Sequence, residues 1–280
     1  MKICILELDG TTPELIFNDE RLGNIRRLMD LGLYGKLQDA SLDSEDSSSI
    51  ANVAICDPLT HASQRPILIG VRSDSSLPVN AIRVTCVATK SEPTEPASIH
   101  EELQQLFGDY AVGPKDPAAL PEDRPLDEIV TTSGKQWEVA RHLASKHEWD
   151  YFHFVETGLD RIPHGRVVPD YYLWLDEQVG SFMELLDSET IFLVISMPAD
   201  SQDGVFLLAA PNCPLAGEYA GATLPDIAPT LLDLSGFSIP ESIPGRSLVA
   251  GLEKRTPDAA LAESDIEQLV QDRLAGLGYI

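Results

Sequence analysis

The sequence is poor in positive charge, in cysteine and in long apolar runs. Twenty Lys and Arg stand against 45 Asp and Glu, a formal net charge of −25. A surface of that sign repels nucleic acid and anionic lipid alike, so neither is expected as a partner. The same field repels a phosphate group unless a bound cation or a local basic patch reverses it. Cys4, Cys56, Cys86 and Cys213 are scattered with no C-x-x-C pair, which removes the dithiol and ribbon signatures and reads as reduced core thiols. No apolar run approaches the length of a membrane span. MKICILELDG enters a strand at once, without the apolar stretch of a signal peptide, and the expected compartment is the cytoplasm.

What is present suits one large domain: 280 residues, 43% of them hydrophobic. Short runs rich in β-branched residues at 2–8, 82–88, 151–155, 190–195 and 205–210 alternate with segments of helical period. That alternation predicts a three-layer α/β/α sandwich with a mainly parallel sheet. Leu22, Ile25, Leu28 and Met29 form the apolar stripe of a first helix, and Trp137, Val139, Ala140 and Leu143 that of another. Two stretches interrupt the pattern. DASLDSEDSSS at 39–49 is acidic and serine-rich, and reads as a mobile loop. Residues 113–125 hold four prolines and mixed charge, and read as a linker. The expected division is a domain over 1–250, then a linker and helix over 251–280. Tyr171, Tyr172 and Trp174 are either an exposed aromatic patch or a core-facing stripe.

YFHFVETGLDRIPHG at 151–165 carries the most chemistry. A strand runs into a loop bearing Asp160 and His164, four residues apart, where α/β sheets place ligands. A carboxylate and an imidazole are half of a site for a divalent ion such as zinc. The alternative makes Asp160 a cap of the following turn and His164 a surface imidazole.

GLDRIPHG resembles the metal-binding loop of the alkaline phosphatase superfamily, in its type I phosphodiesterase and nucleotide pyrophosphatase branch. Further segments resemble that family in order: LELDG at 6–10, NIRRLMDLGLYGKL at 24–37, KQWEVARHLASKHEWDYFHFVE at 135–156, DYYLWLDEQVGSFMELLD at 170–187 and GATLPDIAPTLLDLSGFSIPESIPGRSL at 221–248. The chain is short for the family, with little room for its inserted cap. The resemblance implies two metal ions that stabilise an in-line displacement by a Thr or Ser nucleophile. Asp9 matches the first metal-binding Asp, although an Asp-Gly after a strand also begins a turn. PLTHASQRPILIG at 58–70 matches the nucleophile segment in length, with Pro58, Thr60 and Gly70 in register. Thr60 then holds the nucleophile position, but Ile69 replaces the second Thr, and the family's Pro and Trp are missing.

Asp160 and His164 match without change. At 194–200, VISMPAD stands where the resemblance implies a strand ending in S-D-H-G, so Met197 and Pro198 replace an Asp and a His. A thioether and a prolyl ring cannot substitute for a carboxylate and an imidazole around zinc or manganese. Asp200, in DSQDG, occupies the position of the last family His. Asp160, His164 and Asp200 are thus left to hold one divalent ion, zinc or manganese, or none, while Asp9 and Thr60 lose theirs. Two functions follow. One is a degenerate member that binds or regulates, with a protein or a small phosphate-containing ligand as partner. The other is a phosphoesterase running on one ion with Thr60 as nucleophile.

Overall fold

The structure is a computed structural model, and it describes residues 1–8, 10–38, 58–60, 62–71, 77–84, 94–108, 110, 126–159, 162, 169–196 and 203–253. The acidic stretch at 39–49, the proline-rich stretch at 113–125 and most of 251–280 lie outside the described residues.

The chain forms β1 (Lys2–Leu8), α1 (Pro13–Asn18), α2 (Gly23–Leu31), β2 (Leu33–Gln38), β3 (Pro66–Ile69), β4 (Ile82–Val84), α3 (Ala97–Phe107), α4 (Leu126–Lys146), β5 (Tyr151–Glu156), α5 (Pro169–Met183), β6 (Thr190–Ser196), β7 (Gly204–Ala209), β8 (Gly217–Glu218), β9 (Ala222–Thr223) and α6 (Ile227–Leu234). One sheet takes the order β4-β3-β5-β1-β6-β7-β2-β8, with β9 beside β2. Every pairing is parallel except those of β7, which runs antiparallel to both β6 and β2.

The central strands are buried on both faces, as their nearly unbroken apolar runs require. Strand parity divides the core. Cys4, Leu6, Leu8, Phe152, Phe154, Phe192 and Val194 face a layer made by α1 to α5. Ile3, Ile5, Val155, Leu193 and Ile195 face α6, Leu59 and Val249 on the other side. This is the expected three-layer sandwich. The helix stripes also fall as the period implies: Leu22, Ile25 and Leu28 are buried, Met29 partly so, and Trp137, Val139, Ala140 and Leu143 are buried. Trp137 meets Phe154 edge-on, ring centroids 4.9 Å apart at 86°. Tyr171 and Tyr172 are buried and Trp174 packs against them, which decides for the core-facing stripe. Cys4 and Cys213 are buried, and burial pushes the Cys4 thiol well up, leaving it unreactive. Cys56 and Cys86 lie outside the described residues. So do the last residues of the 82–88 run, of which β4 uses 82–84.

The sequence reading did not assign β3. Its residues, PILI, sit inside the segment aligned to the nucleophile motif, yet all four are buried and pair in parallel with β4 and β5. A short apolar run with two isoleucines has no periodic signature that separates strand from helix, so its tertiary pairing decides.

Side chains from distant elements fix the helices. α2 has no side-chain cap of its own. Asp176 of α5 supplies one, accepting from the backbone N–H of Asn24 (3.1 Å) and of Ile25 (2.8 Å) and from Asn24 Nδ2 (3.0 Å). Gly180 lies directly over the Asn24 side chain, so any Cβ there would strike it. Asp226 pins the closing segment, accepting from Thr223 N–H (3.0 Å), Thr223 Oγ1 (2.7 Å) and Arg246 N–H (2.9 Å).

Candidate functional site

β1, β5 and β6 end side by side. Leu8 pairs with Glu156, and Glu7 with both Val155 and Ile195, one residue short of Ser196 at the end of β6. The carboxyl edge of a parallel sheet is where such folds bind ligands, because the strand ends and their loops open a crevice there. Asp9 follows β1, Asp160 and His164 lie in the chain between β5 and α5, and Asp200 lies between β6 and β7. All four, with Met197 and Pro198, are outside the described residues, so the candidate metal set is legible only as strand ends and chain order.

The described residues at this edge tie the strand ends to the elements around them. Glu156, fully buried, accepts from Gly158 N–H at 2.8 Å and from the Tyr171 hydroxyl at 3.0 Å. Ser133 Oγ of α4 lies 3.2 Å from the same hydroxyl. The chain thus leaves β5 with its first turn tied to α4 and α5. Gly158 is required there: an added Cβ would collide with the Tyr171 hydroxyl and come within 2.5 Å of Ser133 Oγ and 2.6 Å of Glu156 Oε1. Ser196 Oγ donates to the Thr11 carbonyl at 3.0 Å, which binds the end of β6 to the chain after β1.

One layer deeper, a polar chain crosses the apolar sheet. The Tyr151 hydroxyl and His153 Nδ1 are 2.9 Å apart, and His153 Nε2 is 3.0 Å from Glu7 Oε2. All three residues are at most 2% exposed. Burial lowers the His153 pKa from 6.5 to about 3, so the imidazole is neutral at ordinary pH. With Glu7 ionised, the network assigns the tautomer: Tyr151 donates to Nδ1, and Nε2–H donates to Glu7. Neither Glu7 nor His153 reaches solvent, so they join β1 to β5 from within the core.

Thr60 lies in a helical turn over 58–60, ahead of β3, and is 0% exposed. The chain that leaves it is held at the opposite sheet edge, where the backbone N–H groups of Gln64 and Arg65 donate to the Asp150 carboxylate just before β5, both at 2.9 Å. Glu7, His153 and Glu156 were not singled out from the sequence. The available signal was charge or imidazole inside doubly buried strands, KICILEL and YFHFVE, where a polar group must find a partner.

No family model matches the chain, and no curated protein matches it in sequence. Solved structures do. The phosphonate monoester hydrolase SpPMH from Silicibacter pomeroyi superposes with a TM-score of 0.51 at 12% identity, over 89% of this chain and 76% of that one. The chain has an alkaline phosphatase-like fold. Two further structures are similar at lower scores and add nothing to that conclusion. One is BT4656, solved in complex with its substrate D-glucosamine-2-N,6-O-disulfate (TM-score 0.49, 12% identity, 91% of this chain and 81% of that one). The other is murine ectonucleotide pyrophosphatase/phosphodiesterase 5 (0.38, 8%, 70% and 56%). Among the described residues, no helix of this alkaline phosphatase-like chain is long and apolar enough to cross a membrane.

The donor set Asp160, His164 and Asp200, two carboxylates and one imidazole, fits a single divalent ion in its chemistry. Glu7 and Glu156, the described carboxylates nearest in sequence to Asp9 and Asp160, are bonded within the protein.

Proposed function

We propose that this chain is a catalytically eroded alkaline phosphatase-like protein that works by binding or regulation at the carboxyl edge of its sheet. The observation that carries this reading is the full burial of Thr60. An in-line displacement needs the nucleophile's oxygen within about 3–3.5 Å of the phosphorus, which a hydroxyl closed off from solvent does not offer. The sequence supports the same reading: Met197 and Pro198 provide no donor for the ion that would activate Thr60 and neutralise the phosphoryl oxygens. The partner we propose is a protein or a small phosphate-containing ligand. The strongly acidic surface disfavours nucleic acid and membrane.

The test is hydrolysis of nitrophenyl phosphate and bis-nitrophenyl phosphate with zinc, manganese and magnesium, wild type beside Thr60→Ala. The expected rates are indistinguishable. Robust turnover in the wild type that disappears in Thr60→Ala refutes the proposal.

A second reading, a phosphoesterase running on one ion, draws on the Glu156–Gly158–Tyr171 anchor. Such a built exit from β5 suits a loop that must present Asp160 and His164 in a fixed geometry. Under this reading Asp160, His164 and Asp200 would hold zinc or manganese, and the ion would supply Lewis-acid polarisation of the phosphoryl oxygen. His164→Ala would then abolish both metal uptake and turnover.

A further inference from the structure

At the end of the molecule away from the crevice, three ligand-type side chains converge between α3 and the carboxyl end of α4. Glu102 Oε1 of α3 lies 2.6 Å from His142 Nε2 and 3.1 Å from His147 Nε2. One donor atom from each of the three lies within 4.8 Å of the other two. Side-chain exposures of 32%, 18% and 25% leave the group partly buried yet open to solvent on one side. We infer that Glu102, His142 and His147 form a zinc site that ties α3 to α4, with a water as fourth ligand.

Four physical arguments carry it. Two imidazoles and one carboxylate with an open position are a three-ligand zinc set, and nitrogen donors select against magnesium and calcium. Ligand atoms around a tetrahedral zinc with bonds of ~2.0–2.1 Å lie about 3.3 Å apart, so Glu102 Oε1, now 2.6 Å from His142 Nε2 and 3.1 Å from His147 Nε2, needs to draw back by less than about 1 Å. The site sits at the end of a 21-residue helix, whose carboxyl terminus attracts a cation. A chain of net charge −25 adds to that attraction.

The competing account is a carboxylate accepting from two imidazole N–H groups. Burial works to raise the Glu102 carboxyl, but hydrogen bonds from His142 and His147 outweigh it and hold it below the usual range. The account explains the contacts but requires no ion. In the zinc account, each imidazole carries a proton on Nδ1 and gives the Nε2 lone pair to the metal. His147 is four residues before β5, so the site stands a full strand length from Glu156, about 20 Å for six residues. It therefore lies toward the opposite edge of the sheet from the end of β5.

The test uses the untagged full chain, stripped with chelator, dialysed and titrated with Zn²⁺ by calorimetry. The wild type should take up one more equivalent than His142→Ala or His147→Ala, or bind it at least ~10-fold more tightly. Zinc should raise the melting temperature of the wild type and of His164→Ala, but not of the two histidine variants. His142→Gln and His147→Gln retain a donor to Glu102, so they keep the hydrogen-bonded cluster should the alanine variants fail to fold. Equal stoichiometry and affinity in wild type and variants overturn the site, as does a wild type that binds no zinc. Both results are independent of whether Thr60 supports hydrolysis.

Discussion

Replacing His153 by Gln tests whether a neutral imidazole underlies the crevice. Gln offers a donor and an acceptor in similar positions but takes up no proton, so it isolates the titration. In the fold the imidazole resists protonation until about pH 3, against 6.5 when exposed, because it is completely buried. As pH falls below 6.5 the unfolded chain binds a proton that the folded chain refuses, so stability present above pH 6.5 is lost progressively toward pH 3. Each unit is worth about 1.4 kcal/mol, which gives a loss of about 2 kcal/mol at pH 5 and about 4–5 kcal/mol once both limits are passed. Urea unfolding of wild type and His153→Gln at pH 7 and pH 5 should show the wild type losing about 2 kcal/mol more than the variant between the two. Parallel losses would refute the neutral imidazole. A wild type that gains on the variant as pH falls would make His153 an imidazolium paired with Glu7.

Gly158→Ala should cost about 2–4 kcal/mol, read by urea unfolding, because the methyl must displace three buried polar groups that bond one another. Gly134→Ala in α4 meets nothing within 4 Å and should stabilise by about 0.5–1 kcal/mol, so the pair separates collision from mere substitution. Asp176→Ala should cost about 2–3 kcal/mol, since it strips the acceptor from two backbone N–H groups at the start of α2. Asp176→Asn, which keeps one acceptor oxygen, should recover part of that loss.

The sheet and its two helical layers were legible because KICILEL, YFHFVE and TIFLVIS are doubly buried strands, and the stripe through Trp137 and Leu143 has helical period. β3 was not, since four apolar residues carry no period of their own. The direction of β7 is likewise a tertiary fact: GVFLLA reads the same in either sense. At the site, sequence order places Asp9, Asp160 and Asp200 after or between strands that end at one edge. The supporting contacts depend on side chains far apart in the chain, as with Glu7 and His153, 146 residues apart. No spacing rule joins Glu102 to His142 and His147 either, although RHLASKH places two imidazoles near one helix end.

The proposed loss of metal ligands at Met197 and Pro198 is tested most directly by restoring them. The double variant Met197→Asp, Pro198→His returns a carboxylate and an imidazole to the end of β6, and its metal content can be compared with that of the wild type by elemental analysis after loading with zinc or manganese. The account predicts one additional equivalent of metal in the double variant, lost again when Asp9→Asn is added. An unchanged metal content in a folded double variant would contradict the account, because the end of β6 would then not face a latent ion site at all.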